Sequence, residues 1–246
     1  MPVNPGLTTV APAGHTYYRI TSLWFNSSSP GDHPKVVNGQ GAVKNYAGAR
    51  YNYPNVCTVY LAEDVPTCLA EKMFYLHREV IRGIDSSHLT GIIPPFRQRF
   101  ILWEIELAND VADVCELNAT NASAVGVFPS LMTNPSQDYL HLKDRRAFLQ
   151  SNGFKGLRAP SSRVISPGNM VVLFDDQSGN VARIIPHEVE FRLVATGLSP
   201  APFINHATQV VDFTAGEVRI LPASPRTPLP SALKSYSSWT RVEFNH

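Results

Sequence analysis

Residues 48–71 read GARYNYPNVCTVYLAEDVPTCLAE. The run Cys57–Ala62 is rich in β-branched and aromatic residues and reads as a strand. Asp64 has the chemistry of a helix N-cap, and Pro66 falls in the first turn, where a missing N–H costs little. TCLAEKMFYLHREVIRG then continues as a helix that this reading ends at Gly83, with Leu69, Met73, Leu76 and Val80 as its buried stripe. One strand and one helix start are thus bracketed by Arg50, Tyr60 and Glu71. The question is whether that spacing is ordinary core or the frame of a site.

Upstream, TYYRITSLWF (16–25) reads as a strand, followed by a polar, turn-rich stretch from Asn26 to about Gly48. Downstream, Trp103, Glu104, Ile105, Glu106 and Leu107 alternate as in a strand with one wet face. DYLHLKDRRAFLQSNG (138–153) reads as a second helix with Gly153 just past its end. Four short strands follow: MVVLFD (170–175), EVEFRLVA (188–195), QVVDF (209–213) and VRILP (218–222). The 20 prolines fall mostly between the short apolar runs, which favours strands and loops over long helices. The expected fold is α+β: a single domain with a mixed, mostly antiparallel sheet and a few helices. Its expected parts are a flexible segment 1–14, a core domain 15–222 and a Pro/Ser-rich tail 223–246.

Composition narrows the classes. At 246 residues and 43% hydrophobic, the chain can fill a sizeable core. A net charge of +1, with both signs mixed along the chain, gives no footprint for nucleic acid or an anionic membrane. Cys57, Cys68 and Cys115 form neither a disulfide framework nor a zinc set, which fits a reducing compartment. The N-terminal stretch lacks the basic start and apolar run of a secretory signal, and no window has the roughly 18 apolar residues of a span. The expected location is cytoplasmic, and the glycosylation-type triplets at Asn26, Asn118 and Asn121 then read as chance loop sequences.

Strong catalytic signatures are missing. No P-loop, HExxH, GxSxG or EF-hand pattern occurs. Gly39-Gln40-Gly41 lacks the third glycine and the preceding strand of a dinucleotide fingerprint, and reads as a turn. Ser231-Ala232-Leu233-Lys234 matches SxxK but has no KTG partner. The eight histidines have no metal-ligand spacing, and His77 reads as a packed rim residue.

A different constellation does stand in register. Tyr18-Arg19 lies near the start; Arg50 sits in GARYN; Tyr60 follows Arg50 by ten residues and Glu71 follows Tyr60 by eleven; Gly156, Ser161 and Arg163 precede MVVLF. In this order and spacing the chain resembles the RES family, named for an arginine, a glutamate and a serine. The resemblance implies a fold similar to ADP-ribosyltransferases and a bacterial toxin that consumes NAD by splitting the nicotinamide–ribose bond, with water or inorganic phosphate as acceptor. It implies NAD as substrate rather than bound cofactor, no metal, an Xre-like antitoxin as partner, and a homodimer as an assembly the family often adopts. Two departures stand out: Tyr53-Pro54-Asn55 replaces a common proline–glycine turn, and the serine is doubled, so Ser162 stays open beside Ser161.

The chemistry suits these residue types. Cleavage at an N-glycosidic carbon passes through an oxocarbenium-like sugar, which the Glu71 carboxylate would stabilise. Arg50, and with it Arg19, would hold pyrophosphate or phosphate oxygens; Tyr60, with Tyr51 as a lesser candidate, offers a flat face for nicotinamide and a hydroxyl for ribose. Ser161 would hydrogen-bond ribose or carboxamide rather than attack, and Arg163 joins the binding set. Each residue also has an ordinary explanation: Glu71 as a first-turn glutamate favoured by the helix dipole, Tyr60 as packing, Arg50 as a solvated charge, Ser161 as a turn residue, Arg19 and Arg163 as braces for the sheet. Two further functions compete with NAD destruction: transfer of ADP-ribose to a protein, and non-catalytic nucleotide binding.

Overall fold

The computed structural model describes residues 7–23, 30–39, 50–90, 97–127, 140–164, 168–194, 197–200, 209–212, 215–221 and 228–244. Its strands are β1 (Thr8–Ala11), β2 (Thr16–Ser22), β3 (Val59–Ala62), β4 (Arg97–Leu107), β5 (Val111–Glu116), β6 (Gly156–Pro160), β7 (Asn169–Leu173), β8 (Val181–Val194), β9 (Gly197–Pro200), β10 (Gln209–Asp212), β11 (Ala215–Leu221) and β12 (Thr240–Glu243). The helices are α1 (Val65–Thr90) and α2 (Leu140–Ser151). Ten strands form one sheet in the order β1-β5-β6-β7-β3-β2-β4-β8-β11-β12, and β9 pairs with β10. The β5–β6 pairing is parallel and the other pairings are antiparallel, so the sheet is mixed and mostly antiparallel, in an α+β domain as expected.

Both helices lie on one face of the sheet. Met170 and Val172 are two apart on β7 and so point the same way. Met170 packs in the cluster built around Leu69, Met73 and Leu76 of α1, and Val172 in that of Leu142 and Leu149 of α2. Alternate residues Tyr17, Leu61, Trp103 and Val171 fill the opposite face with Val36 and Val37 of the 3-10 segment Pro30–Val37. The site is to be sought between α1 and α2, above the central strands β3, β6 and β7.

Local signals in the sequence have structural counterparts. The Asp64 carboxylate accepts the Thr67 N–H over 2.7 Å, an N-cap bond to the third helical residue. Leu69, Met73 and Leu76 are fully buried. Gly153 takes φ +90, its N–H donates to the Gln150 carbonyl and the Phe154 N–H to that of Leu149, which together make a Schellman stop for α2.

Other expectations change. Helix α1 passes Gly83 and runs to Thr90, because one glycine costs a helix only about 1 kcal/mol. Strand β4 keeps its alternation but is wet only at Glu106, whose side chain is half-buried and pairs with Arg183, whereas Glu104 is 4% exposed, with His187 Nε2 at 3.5 Å from its Oε1. The segment expected to be flexible contains edge strand β1, which pairs with β5 and buries Leu7 and Ala11 beside it. In the stretch expected as a tail, β12 pairs with β11, and Leu233, Val242 and Phe244 are buried in the α1 cluster. The strands β5, β6 and β12 carried no strand signal of their own. Trp24–Phe25, Asn26, Gln40–Gly41, Gly48, Asp138–Tyr139, Phe213 and Pro222 lie outside the described residues.

Candidate functional site

Glu71 is the seventh residue of α1, beyond the first turn, and it is half-buried. Ser161 follows Pro160 at the exit of β6, and its hydroxyl donates to Glu71 Oε1 over 2.6 Å. The serine oxygen in turn accepts the Arg163 N–H at 3.0 Å. The Ser161 N–H donates to the Gly168 carbonyl at 2.8 Å, and Gly168 lies so close to α1 that an added Cβ would stand 1.9 Å from Thr67 Oγ1. Two close approaches thus set the chain leaving β6 and the entry of β7 against the first two turns of α1. The Arg163 guanidinium, 2% exposed, lies 3.5 Å from the centre of the Phe74 ring on the same helix.

A second group forms around Tyr60 on β3. Its hydroxyl donates to Asn52 Oδ1 at 2.7 Å and accepts the Tyr51 N–H at 3.0 Å. Burial pushes the Tyr60 phenol well above its ordinary pKa. With its proton given to Asn52 and a lone pair taken by the Tyr51 N–H, the Tyr60 hydroxyl is held by the protein itself rather than left open for the expected ribose contact. Asn52 is fully buried, and Arg50, 8% exposed rather than solvated, lies 5.9 Å from the Tyr51 ring centre.

Strands β2 and β3 share a single bridge, Tyr18 with Ala62, and beyond it they part. There Arg19 Nη1 donates to the Tyr60 carbonyl at 3.1 Å. Burial lowers the Arg19 pKa, and among the described residues its Nε has no hydrogen-bond partner. An arginine held in a split sheet with a donor to spare is chemically suited to an anion. Cys68 lies within electrostatic reach of both groups: burial raises its thiol pKa, the Glu71 charge raises it further, and that of Arg19 lowers it. Tyr75, one turn beyond Glu71 on α1, likewise acts on the Tyr60 phenol.

All seven sequence candidates therefore fall into two adjoining groups, Glu71–Ser161–Arg163 and Arg19–Arg50–Tyr51–Tyr60. Ser162, 1% exposed, lies beside Ser161, but it is Ser161 that reaches Glu71. Asn52, Phe74 and Tyr75 received no role from the sequence. The two aromatics stand three and four residues after Glu71, the spacing of neighbours on a helix face, and that was the signal available. Arg146 was also missed: buried on α2, it donates to the Cys57 carbonyl at 3.1 Å and the Phe174 carbonyl at 3.4 Å, and so ties α2 to the chain entering β3 and the chain leaving β7.

A cavity of about 390 Å³ opens at the N-terminal tip of α1, lined by His15, Tyr18, Glu63, Asp64 and Pro66 among others. It shares no residue with the two groups, and the hydrogen-bonded contacts locate the candidate chemistry better than its volume does. Ser231 and Lys234 lie in the 3-10 segment Ser231–Tyr236, which packs Leu233 into the core. No helix among the described residues is long and apolar enough to cross a membrane.

The model of the RES domain family matches residues 17–195. Among solved structures, the M. tuberculosis MbcT–MbcA toxin–antitoxin complex contains a similar chain, with a TM-score of 0.46 and 16% identity over 73% of this chain and 85% of that one. No curated protein matches.

Proposed function

The chain belongs to the RES domain family, and from that premise we propose that it is a toxin-type enzyme that destroys NAD by cleaving the nicotinamide–ribose bond. The observation that carries this reading is the 2.6 Å bond between Ser161 and Glu71, residues ninety apart in sequence whose types name the family. It leaves Glu71 Oε2 without a protein partner among the described residues, so one carboxylate oxygen is oriented and the other is available to an electron-poor sugar.

Glu71 stabilises the positive charge that develops as nicotinamide leaves, and orients the incoming nucleophile on the opposite side of the sugar carbon. In this reading Ser161 orients Glu71 rather than attacking the sugar: its hydroxyl donates to the carboxylate, and its oxygen accepts the Arg163 N–H. Tyr60 offers the fixed face on which nicotinamide stacks, and Arg19 and Arg50 hold phosphate oxygens. The partner this reading implies is an Xre-like antitoxin that keeps the enzyme inactive; the assembly it implies is a homodimer.

Incubation of purified protein with NAD, with and without inorganic phosphate, tests the proposal. Nicotinamide with ADP-ribose means hydrolysis, nicotinamide with ADP-ribose 1″-phosphate means phosphorolysis, and ADP-ribose attached to protein means transfer. No nicotinamide release under any condition overturns the enzymatic reading in favour of nucleotide binding alone.

A further inference from the structure

Arg158 of β6 spends its whole guanidinium fork on carboxylates. Nε and Nη2 meet the two oxygens of Glu63 at 2.5 and 2.7 Å, and Nη1 meets Glu116 Oε1 at 2.7 Å. Asn169 Nδ2 adds a fourth bond, to Glu63 Oε2 at 3.1 Å. The side chains of Arg158, Glu63 and Glu116 are 29%, 20% and 27% exposed, and charges shielded to this degree are screened less by salt than surface pairs. Burial works against the Glu63 charge, yet the bonds from Arg158 and Asn169 outweigh it and hold this carboxyl below its ordinary value.

The place of this cluster in the chain gives it a second meaning. Glu63 immediately precedes Asp64, the cap of α1, and Glu71 lies eight residues on, about 12 Å along a stiff helix. Arg158 stands three residues before Ser161. Strand β7 lies between β3 and β6, and it is bonded to both partners at this end, through Asn169 to the Glu63 N–H at 3.1 Å and through Gly168 to the Ser161 N–H at 2.8 Å. The chain therefore closes a ring: the ion pair joins β6 to the base of α1, and the Ser161–Glu71 bond joins the next turn of chain to the helix above. Loosening the ion pair lets α1 and the end of β6 shift relative to one another. A misplacement of about 1 Å at a catalytic group costs on the order of a hundredfold in rate.

We propose that Arg158 is a positioning residue, which sets the geometry of the Ser161–Glu71 pair through its two-pronged bond to Glu63. This rests on the reading of Glu71 as the charge-stabilising carboxylate. The test substitutes Arg158→Met, which keeps the packing stem and removes the fork. The kcat for nicotinamide release is expected to fall at least about tenfold, with KM for NAD changed less than about threefold, while Arg158→Lys recovers part of the loss. Arg183→Met serves as control: it removes an arginine that bonds Glu106 at 2.6 Å on the distant β4–β8 pair, and kcat should hold. Glu63→Gln, which keeps the side-chain shape, replaces Arg158→Met if that variant does not fold. Wild-type kcat in Arg158→Met or Glu63→Gln, or an equal loss in Arg183→Met, overturns the assignment. A crystal structure of the variant gives a readout independent of activity. A Ser161–Glu71 separation beyond about 3.5 Å supports the positioning role, and an unchanged 2.6 Å contradicts it even if wild-type protein proves silent toward NAD.

Discussion

The Tyr60 hydroxyl donates to Asn52 Oδ1 at 2.7 Å while accepting the Tyr51 N–H at 3.0 Å, so one phenol ties the turn that carries Arg50 to the centre of the sheet. Tyr60→Phe leaves a buried carbonyl and a buried N–H without partners, and an unsatisfied buried group costs about 1–3 kcal/mol. The expected result is a stability loss of that size in urea, with the aromatic face retained. Asn52→Ala should cost a similar amount, and the double variant less than the sum, because both remove one bond. Additive losses would show that the two residues act separately.

Glu71→Gln keeps the shape of the side chain and its acceptor oxygen for Ser161 but removes the charge. If the carboxylate stabilises a cationic sugar, kcat for nicotinamide release should fall about 10²- to 10³-fold, the scale of losing one pre-organised electrostatic contact. The NAD dissociation constant should stay within about threefold, since the lost interaction belongs to the transition state. Unchanged turnover would remove Glu71 from the mechanism.

Arg50→Ala and Arg19→Met should instead act on binding. Loss of a charge-assisted contact to a phosphate oxygen predicts NAD affinity weaker by about ten- to a hundredfold for each, with smaller changes in kcat. Calorimetric titration of NAD into Glu71→Gln background protein measures this without turnover. For Arg19, lower melting temperature with unchanged affinity would identify it as a brace that only satisfies the Tyr60 carbonyl.

Much of this site was legible in the sequence because its elements signal locally. Asp64 and Pro66 announce the start of α1, and Gly153 the end of α2. The register of Arg50, Tyr60 and Glu71 survives because strand and helix have fixed rises. The contacts that make a site of them are not local. Nothing near Ser161 says that it meets Glu71, and nothing near Asn52 says that the Tyr60 hydroxyl reaches it. The failures have separate causes: on β4 the alternation is real, but Glu104 is covered and meets a buried His187 instead of water. The chain's last strand looked like a loose tail because an edge strand four residues long has too little periodicity to read.

Gly168 offers a test of how tightly the site is assembled. A Cβ there would stand 1.9 Å from Thr67 Oγ1 and 3.2 Å from Thr67 Cβ. Gly168→Ala should therefore push the entry of β7 away from α1, at a cost of about 1–3 kcal/mol for an overpacked contact. Thr67→Ala removes the nearest clashing atom, so the double variant should regain part of both stability and nicotinamide release. No recovery in the double variant would mean that the strain lies elsewhere.

Acid stability should report on a cluster far from this site. Glu190 on β8 is 2% exposed and bonded to Arg97 and to Arg219, whose Nε lies at 2.8 Å. Led by the Arg97 bond, these contacts bring its pKa from 4.5 down to about 2. A carboxyl depressed in the folded state is fully stabilising above the unfolded value, and its contribution is lost as pH falls from about 5 to about 2, where the unfolded chain takes up a proton that the folded one refuses. The shift corresponds to no more than about 3 kcal/mol. Urea unfolding of wild type and Glu190→Gln at pH 7 and pH 3 measures it: the variant should be less stable at pH 7 by a gap that narrows at pH 3. A gap of equal size at both values would mean that Glu190 contributes through packing and neutral hydrogen bonds rather than through its charge.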